Sequence, residues 1–208
     1  MYQQKVKELL KDQAYRLIKE KMIKGEEEYT SENNLVHELN MSRTPIREAL
    51  NRLQHEGFLK ILPNRGIVFT EISLEERNEL IDMRIAIETY SLWQAANRIE
   101  DKHIEDLYGI IEMQEKAYLA GDFGELVEKD ALFHYYLLEI VGNSQFLKMY
   151  SQARERQFTV RAGKWLKNKP DVLEHFIEEH RIILNALVQK DIPSAVQYLT
   201  EHLEKGKL

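Results

Sequence analysis

Three stripes of apolar residues with helical spacing open the chain. Leu10, Ala14, Leu17, Ile18 and Met22 form the first, ended by Lys24-Gly25. Leu35, Val36 and Leu39 form a shorter one over Glu32 to Asn40, and Ile46, Ala49, Leu50 and Leu53 form the third. Recurrence at i, i+3, i+4 and i+7 predicts an amphipathic helix in each case. The third helix is entered at Thr44-Pro45, with Thr44 as N-cap and Pro45 at the first helical position, where a missing N–H costs nothing. Gly57 stops it as the C′ residue. Asn40-Met41-Ser42 makes a tight turn between the second and third helices. The pattern then changes to two β-prone runs, Phe58 to Ile61 and Ile67 to Thr70, joined by Leu62-Pro63-Asn64-Arg65-Gly66. Pro, Asn and Gly between such runs signal a hairpin. Three helices and a two-stranded hairpin predict a winged helix-turn-helix.

From Ser73 onward no strand alternation is found. Ser73-Leu74-Glu75-Glu76 is a capping box that opens a new helix and sets a domain boundary. That helix, to Asn97, is apolar nearly all round (Leu80, Ile81, Met83, Ile85, Ala86, Ile87, Leu92, Trp93), which predicts a central buried position. Further helical segments span 101–119, 122–141, 144–166, 171–189 and 193–205, separated by Gly121-Asp122, Gly142-Asn143, Lys169-Pro170 and Ile192-Pro193. The expected fold is mainly α: a winged helix-turn-helix over residues 1–72, then an all-α bundle of about six helices over 73–208.

Charge sharpens the division. The net charge of −6 is uneven: residues 1–72 carry 12 Lys+Arg against 11 Asp+Glu, and the remainder 17 against 24. Between 41 and 68, Arg43, Arg47, Arg52, Lys60 and Arg65 face only Glu48 and Glu56. Phosphate attraction follows the local patch, so double-stranded DNA stays a candidate partner of the first domain. Arg47, Asn51 and Gln54 lie off the apolar stripe of the third helix, and Ser42, Arg43 and Thr44 stand at its entry. Arginines at the N-terminal end of a short helix suit phosphates and guanine edges in a major groove. Arg65 sits at the wing tip, with Gly66 allowing close backbone approach to DNA. No apolar run reaches membrane-spanning length, nothing resembles a secretory signal, and there is no cysteine, so a cytoplasmic protein is expected.

The bundle holds one constellation with chemical content. Asp130 and His134 stand at i, i+4 on one helix face, and His180 and His202 lie in later helices. A carboxylate and three imidazoles suit a divalent first-row metal such as Zn, Ni or Mn; a salt-bridged helix face is the alternative for the Asp130/His134 pair. His37, His55, His103 and His175 have no such partners and are expected at the surface or at caps. Arg84, in an otherwise apolar helix, needs a partner for its charge: Glu88 at i+4, or the carboxylate of a small effector. Arg154, Arg156 and Arg161 are further cations for such a cavity.

Residues 10–72 resemble the DNA-binding domain of the GntR family of bacterial transcription regulators. The resemblance rests on the string Ser42-Arg43-Thr44-Pro45-Ile46-Arg47-Glu48-Ala49-Leu50, with Leu53, Glu56-Gly57 and the Asn64-Arg65-Gly66 wing. Two positions depart: Gly25-Glu26-Glu27-Glu28-Tyr29 replaces a Pro-Gly turn, and Asn33 stands where an arginine is common, which points to a different operator sequence. Residues 73–206 resemble the helical FCD effector domain of the FadR-type branch. In that branch the positions of Asp130, His134, His180 and His202 imply a metal site, and that of Arg84 a residue facing the ligand cavity. The resemblance implies a homodimeric repressor of a metabolic operon, bound to a roughly palindromic site and answering a small organic acid. A metal sensor is the alternative. A metal-dependent enzyme is a further one, against which stand the DNA head and the absence of a general base or a His-Glu-x-x-His arrangement.

Overall fold

The computed structural model describes residues 9–24, 29–63, 65–70, 72–157 and 170–207. They fall into two compact units that divide between residues 71 and 72.

In the first unit α1 (Leu10–Lys24), α2 (Glu32–Glu38) and α3 (Arg43–His55) pack around Ala14, Ile18, Leu35, Ile46, Leu50 and Leu53. The α2–α3 turn bends at Asn40, whose φ is 49°, a conformation asparagine tolerates better than most residues. Helix α3 starts earlier than the Pro45 signal suggests. Ser42 is its N-cap residue, so Thr44 and Pro45 lie within its first turn, where the N–H groups have no intrahelical acceptor in any case. Its end matches expectation. The Phe58 N–H reaches the Leu53 carbonyl at 2.9 Å and the Gly57 N–H the Gln54 carbonyl at 3.0 Å, with Gly57 at φ 79°, a Schellman close.

The wing is a three-stranded sheet rather than a two-stranded hairpin. β2 (Leu59–Leu62) and β3 (Gly66–Phe69) pair antiparallel, and β1 (Tyr29–Thr30) adds to the far side of β3, Tyr29 opposite Val68 and Thr30 opposite Ile67. A two-residue strand carries no periodicity, so nothing in the pattern announces it. Tyr29 lays its ring against Gly66, where a Cβ would collide with it, and Gly66 has φ 95°. The glycine therefore has a local reason to be there, independent of any approach to DNA.

The second unit contains, among the described residues, six helices: α4 (Leu74–Ala95), α5 (Asp101–Leu119), α6 (Phe123–Val141), α7 (Ser144–Gln157), α8 (Pro170–Val188) and α9 (Ile192–Glu204). The segment read as 144–166 is helical to Gln157; its remainder, including Arg161, lies outside the described residues, as do Asn64 and the Gly25 turn. Ser73 caps α4 by accepting from the Glu76 N–H at 3.0 Å. Leu92, Leu107, Ile111, Phe133, Leu137, Ile183, Leu184 and Leu199 fill the bundle core. Helix α4 is not buried all round. Ile81, Ile87, Leu92 and Ala95 point inward, but Ala86, Tyr90 and Trp93 form an exposed stripe, with Tyr90 53% and Trp93 50% exposed. Among the described residues α4 packs chiefly on α6, α7 and α9, and this stripe stays exposed.

Candidate DNA-reading face and metal centre

Helix α3 buries Pro45, Ile46, Ala49, Leu50 and Leu53 and exposes Ser42, Arg43, Thr44, Arg47 and Asn51, because the two sets occupy opposite sides of one amphipathic turn pattern. Arg65 is exposed at the wing tip. The α3 arginines are not bare cations. Arg43 donates from Nη1 to Glu32 Oε1 at 3.2 Å and Arg47 from Nε to Glu32 Oε2 at 2.9 Å. The Arg47 hydrogen bond outweighs partial burial and holds the Glu32 carboxyl below its ordinary range. Arg52 belongs to the fold instead: it pairs with Glu56 at 3.0 Å and lies over the Tyr15 ring of α1.

In the bundle, side chains from five helices, α4, α5, α6, α8 and α9, meet at one buried cluster. His134 of α6, His180 of α8 and His202 of α9 turn their Nε2 atoms on one another at 3.2–3.3 Å. Asp130, one turn before His134, brings Oδ1 to 3.7 Å from His180 Nε2, and one donor atom from each of the four lies within 4.8 Å of the others. The three histidines are almost fully buried and Asp130 partly so. Phe133 stacks on the His180 ring with centroids 4.2 Å apart, which fixes the ring plane.

The opposite ring nitrogens explain why the Nε2 atoms can converge. His134 Nδ1 lies 2.7 Å from Glu88 Oε2, His180 Nδ1 2.9 Å from Gln114 Oε1 and His202 Nδ1 2.8 Å from Glu179 Oε2. Gln114 has its amide nitrogen committed to the Lys129 carbonyl at 3.1 Å, so its oxygen faces His180 and accepts. Burial alone would raise the Glu88 pKa, but Arg84 and His134 outweigh it and bring it to about 2. Glu179 is likewise lowered, its burial outweighed by His202 and Lys205. Both carboxylates and the Gln114 oxygen therefore accept from an Nδ1, and the three Nε2 atoms point at one spot. Burial first, then its neighbouring histidines and Arg84, lower the His180 pKa well below the ordinary value and keep that ring neutral.

Lone pairs meeting without a donor repel one another unless an electrophile lies between them. Nitrogens bonded at about 2.1 Å to a tetrahedral or octahedral ion lie roughly 3.0–3.4 Å apart, and the observed separations fall in that window. The donor set therefore fits a divalent first-row ion.

Arg84 of α4 stands beside this cluster. Its Nε donates to Glu88 Oε1 at 2.7 Å, Nη1 reaches Gln157 Oε1 at 3.4 Å, and the guanidinium lies 5.2 Å from the Tyr150 ring centroid. Its buried Nη2 has no hydrogen-bond acceptor among the described residues. Arg154 reaches Glu128 and the Val127 carbonyl, and Arg156 pairs with Glu76. His103 closes a cap on the Glu100 N–H at 3.1 Å. His175 is exposed, as expected of a surface histidine, but it has a partner: its Nε2 lies 3.0 Å from Glu179, the carboxylate behind His202.

Glu88, Gln114, Glu179 and Glu32 escaped the sequence reading as site residues. The spacing of Glu88 to Arg84 was a legible signal, but its second oxygen faces a histidine on another helix, which no local pattern reveals.

A helix-turn-helix with exposed arginines, joined in one chain to a helical bundle with a buried histidine cluster, defines a two-part regulator. Residues 10–69 match the bacterial regulatory proteins of the gntR family and residues 79–205 match the FCD domain. The chain belongs to the GntR family of DNA-binding transcription regulators, in its FCD-domain branch, and is not an enzyme. The Nta operon transcriptional regulator of Aminobacter aminovorans is 29% identical over 179 residues, 86% of this chain and 82% of that protein. The gluconate operon transcriptional repressor of Bacillus licheniformis is 29% identical over 183 residues, 86% of this chain and 75% of that one. In structure the chain is similar to E. coli McbR/YncC, with a TM-score of 0.79, 23% identity and 95% coverage of each chain. Among the described residues no helix is long and apolar enough to cross a membrane.

Proposed function

We propose that this chain is a ligand-responsive repressor of a metabolic operon, acting from the cytoplasm as a homodimer, whose bundle holds a divalent first-row ion and takes a small organic acid beside it. The observation that carries the reading is the convergence of three buried Nε2 atoms, each with its Nδ1 proton held by an oxygen of another helix. Asp130, His134, His180 and His202 would hold the ion. When bound, it supplies a Lewis-acidic anchor for a carboxylate. Arg84 offers the second anchor: its Nη2 is a buried donor in want of an acceptor, which favours an organic acid over metal alone as the signal.

In the DNA-reading unit Arg43 and Arg47 make phosphate and base-edge contacts, Ser42 and Thr44 set register on the backbone, Asn51 faces the groove, and Arg65 with Gly66 approaches the minor groove. The exposed Ala86, Tyr90 and Trp93 stripe supports a homodimer, which places two α3 helices in successive major grooves of a roughly palindromic operator. The acid acts through its different affinity for the DNA-competent and incompetent arrangements. The test loads the full chain with zinc and measures affinity for a duplex selected from a random pool, with and without small mono- and dicarboxylic acids. An acid that weakens the complex at zinc saturation supports the reading. Affinity that follows zinc alone overturns it in favour of a metal sensor.

A further inference from the structure

Glu32 is the first residue of α2 and its position is fixed, because Ser31 caps that helix by accepting from the Asn34 N–H at 3.1 Å. Its two carboxylate oxygens are divided between two arginines of another helix, Arg43 and Arg47. The carboxylate is 27% exposed, whereas the arginines it holds are 60% and 61% exposed. Glu32, Arg47 and Asn51 together line a groove of about 390 Å³ between α3 and the sheet, closed on its other side by Ile61 and Gly66.

A carboxylate in that groove opposes phosphate binding, and an exposed ion pair adds little to stability. Its geometry suggests a different use. Arg43 and Arg47 stand one turn apart, where like charges repel and long side chains scatter. Glu32 accepts from Nε of Arg47, the inner nitrogen, and so leaves the two outer nitrogens as a free fork. A fork of that kind is what a guanine edge takes through its O6 and N7 acceptors. An untethered arginine would be drawn to the nearest phosphate, which carries no sequence information.

We propose that Glu32 is a specificity-determining positioning residue: it holds Arg47, with Arg43 beside it, aimed at a base edge rather than at the backbone. The inference rests on α3 being the helix that reads DNA.

The test uses the full chain. A duplex is selected by the wild type from a random double-stranded pool, and affinities for it and for a scrambled duplex are measured for wild type, Glu32→Gln, Glu32→Asp and Arg47→Ala. Glu32→Gln, with one negative charge fewer, should bind the scrambled duplex more tightly, while the selected-to-scrambled ratio falls about 5- to 100-fold, the discrimination of one bidentate base contact. Glu32→Asp keeps the charge but not the reach; its ratio should fall with no gain on the scrambled duplex. Selection repeated with Glu32→Gln should lose preference at the base pair that Arg47→Ala also ceases to distinguish. Equal gains by Glu32→Gln on both duplexes, with the ratio and selected sequence unchanged, would overturn the proposal and leave α3 as the reader. An unchanged ratio in Arg47→Ala would overturn that reading itself, and the proposal with it.

Discussion

Gln114 turns its carboxamide oxygen to His180 Nδ1 at 2.9 Å because its nitrogen is committed to the Lys129 carbonyl at 3.1 Å. That one relationship fixes the tautomer of a fully enclosed histidine and directs its Nε2 lone pair to the centre of the cluster. Outer partners of metal-binding histidines contribute about 10–100-fold in affinity. Gln114→Leu should therefore weaken zinc binding by about that factor. A competition titration against a chromophoric chelator measures it, and unchanged affinity would show that Phe133 stacking alone orients the ring.

Acid should destabilise the metal-free chain through His180. Its folded pKa is depressed, so the unfolded chain binds the proton more readily; the stability it contributes is present above the ordinary value of 6.5 and is lost as pH falls toward the folded pKa. Thermal melting of metal-stripped protein should drop between about pH 7 and pH 5. His180→Asn should flatten that slope. An identical slope in the variant would assign the effect to another group.

Arg84 pairs with Glu88 and is proposed to anchor the acid as well, two roles that one substitution confuses. Removing its charge leaves Glu88, which is fully buried, uncompensated, at a cost of about 3–5 kcal/mol. Arg84→Lys keeps a cation beside Glu88 but not the planar fork, and the two are not interchangeable at a bidentate site. It should melt close to the wild type and bind DNA normally, yet lose the response to carboxylic acids. A full response would make Arg84 a structural counter-ion only.

Gly66→Ala should cost the winged unit about 1–2 kcal/mol, the penalty for an L side chain in left-handed backbone. The Tyr29 ring adds a second obstacle, but it is the far end of a mobile side chain. If backbone strain dominates, Tyr29→Leu in the same chain restores little of the lost stability in chemical denaturation. Full restoration would assign the loss to the ring.

The helices were legible because their apolar residues recur at the helical period, and Ser73 and Gly57 mark ends with chemistry that has few other uses. The entry of α3 was misplaced because Pro45 and Thr44 are acceptable at several positions of a first turn, and the backbone at Ser42 decides among them. β1 was invisible, being two residues paired to β3. The four candidate ligands could be named from residue types and family likeness. Their convergence rests on Glu88, Gln114 and Glu179, which meet them only across helices, and such contacts leave no periodic trace. The Glu32 bridge was hidden for the same reason.

The most direct measurement is the metal content of the full-length protein beside that of the His134→Ala, His180→Ala double variant. The expected result is one divalent first-row ion for each wild-type chain, recoverable by zinc titration after chelation, and none in the variant with α-helix content retained. A wild-type chain that takes up no zinc, or a variant that keeps its metal, would contradict it.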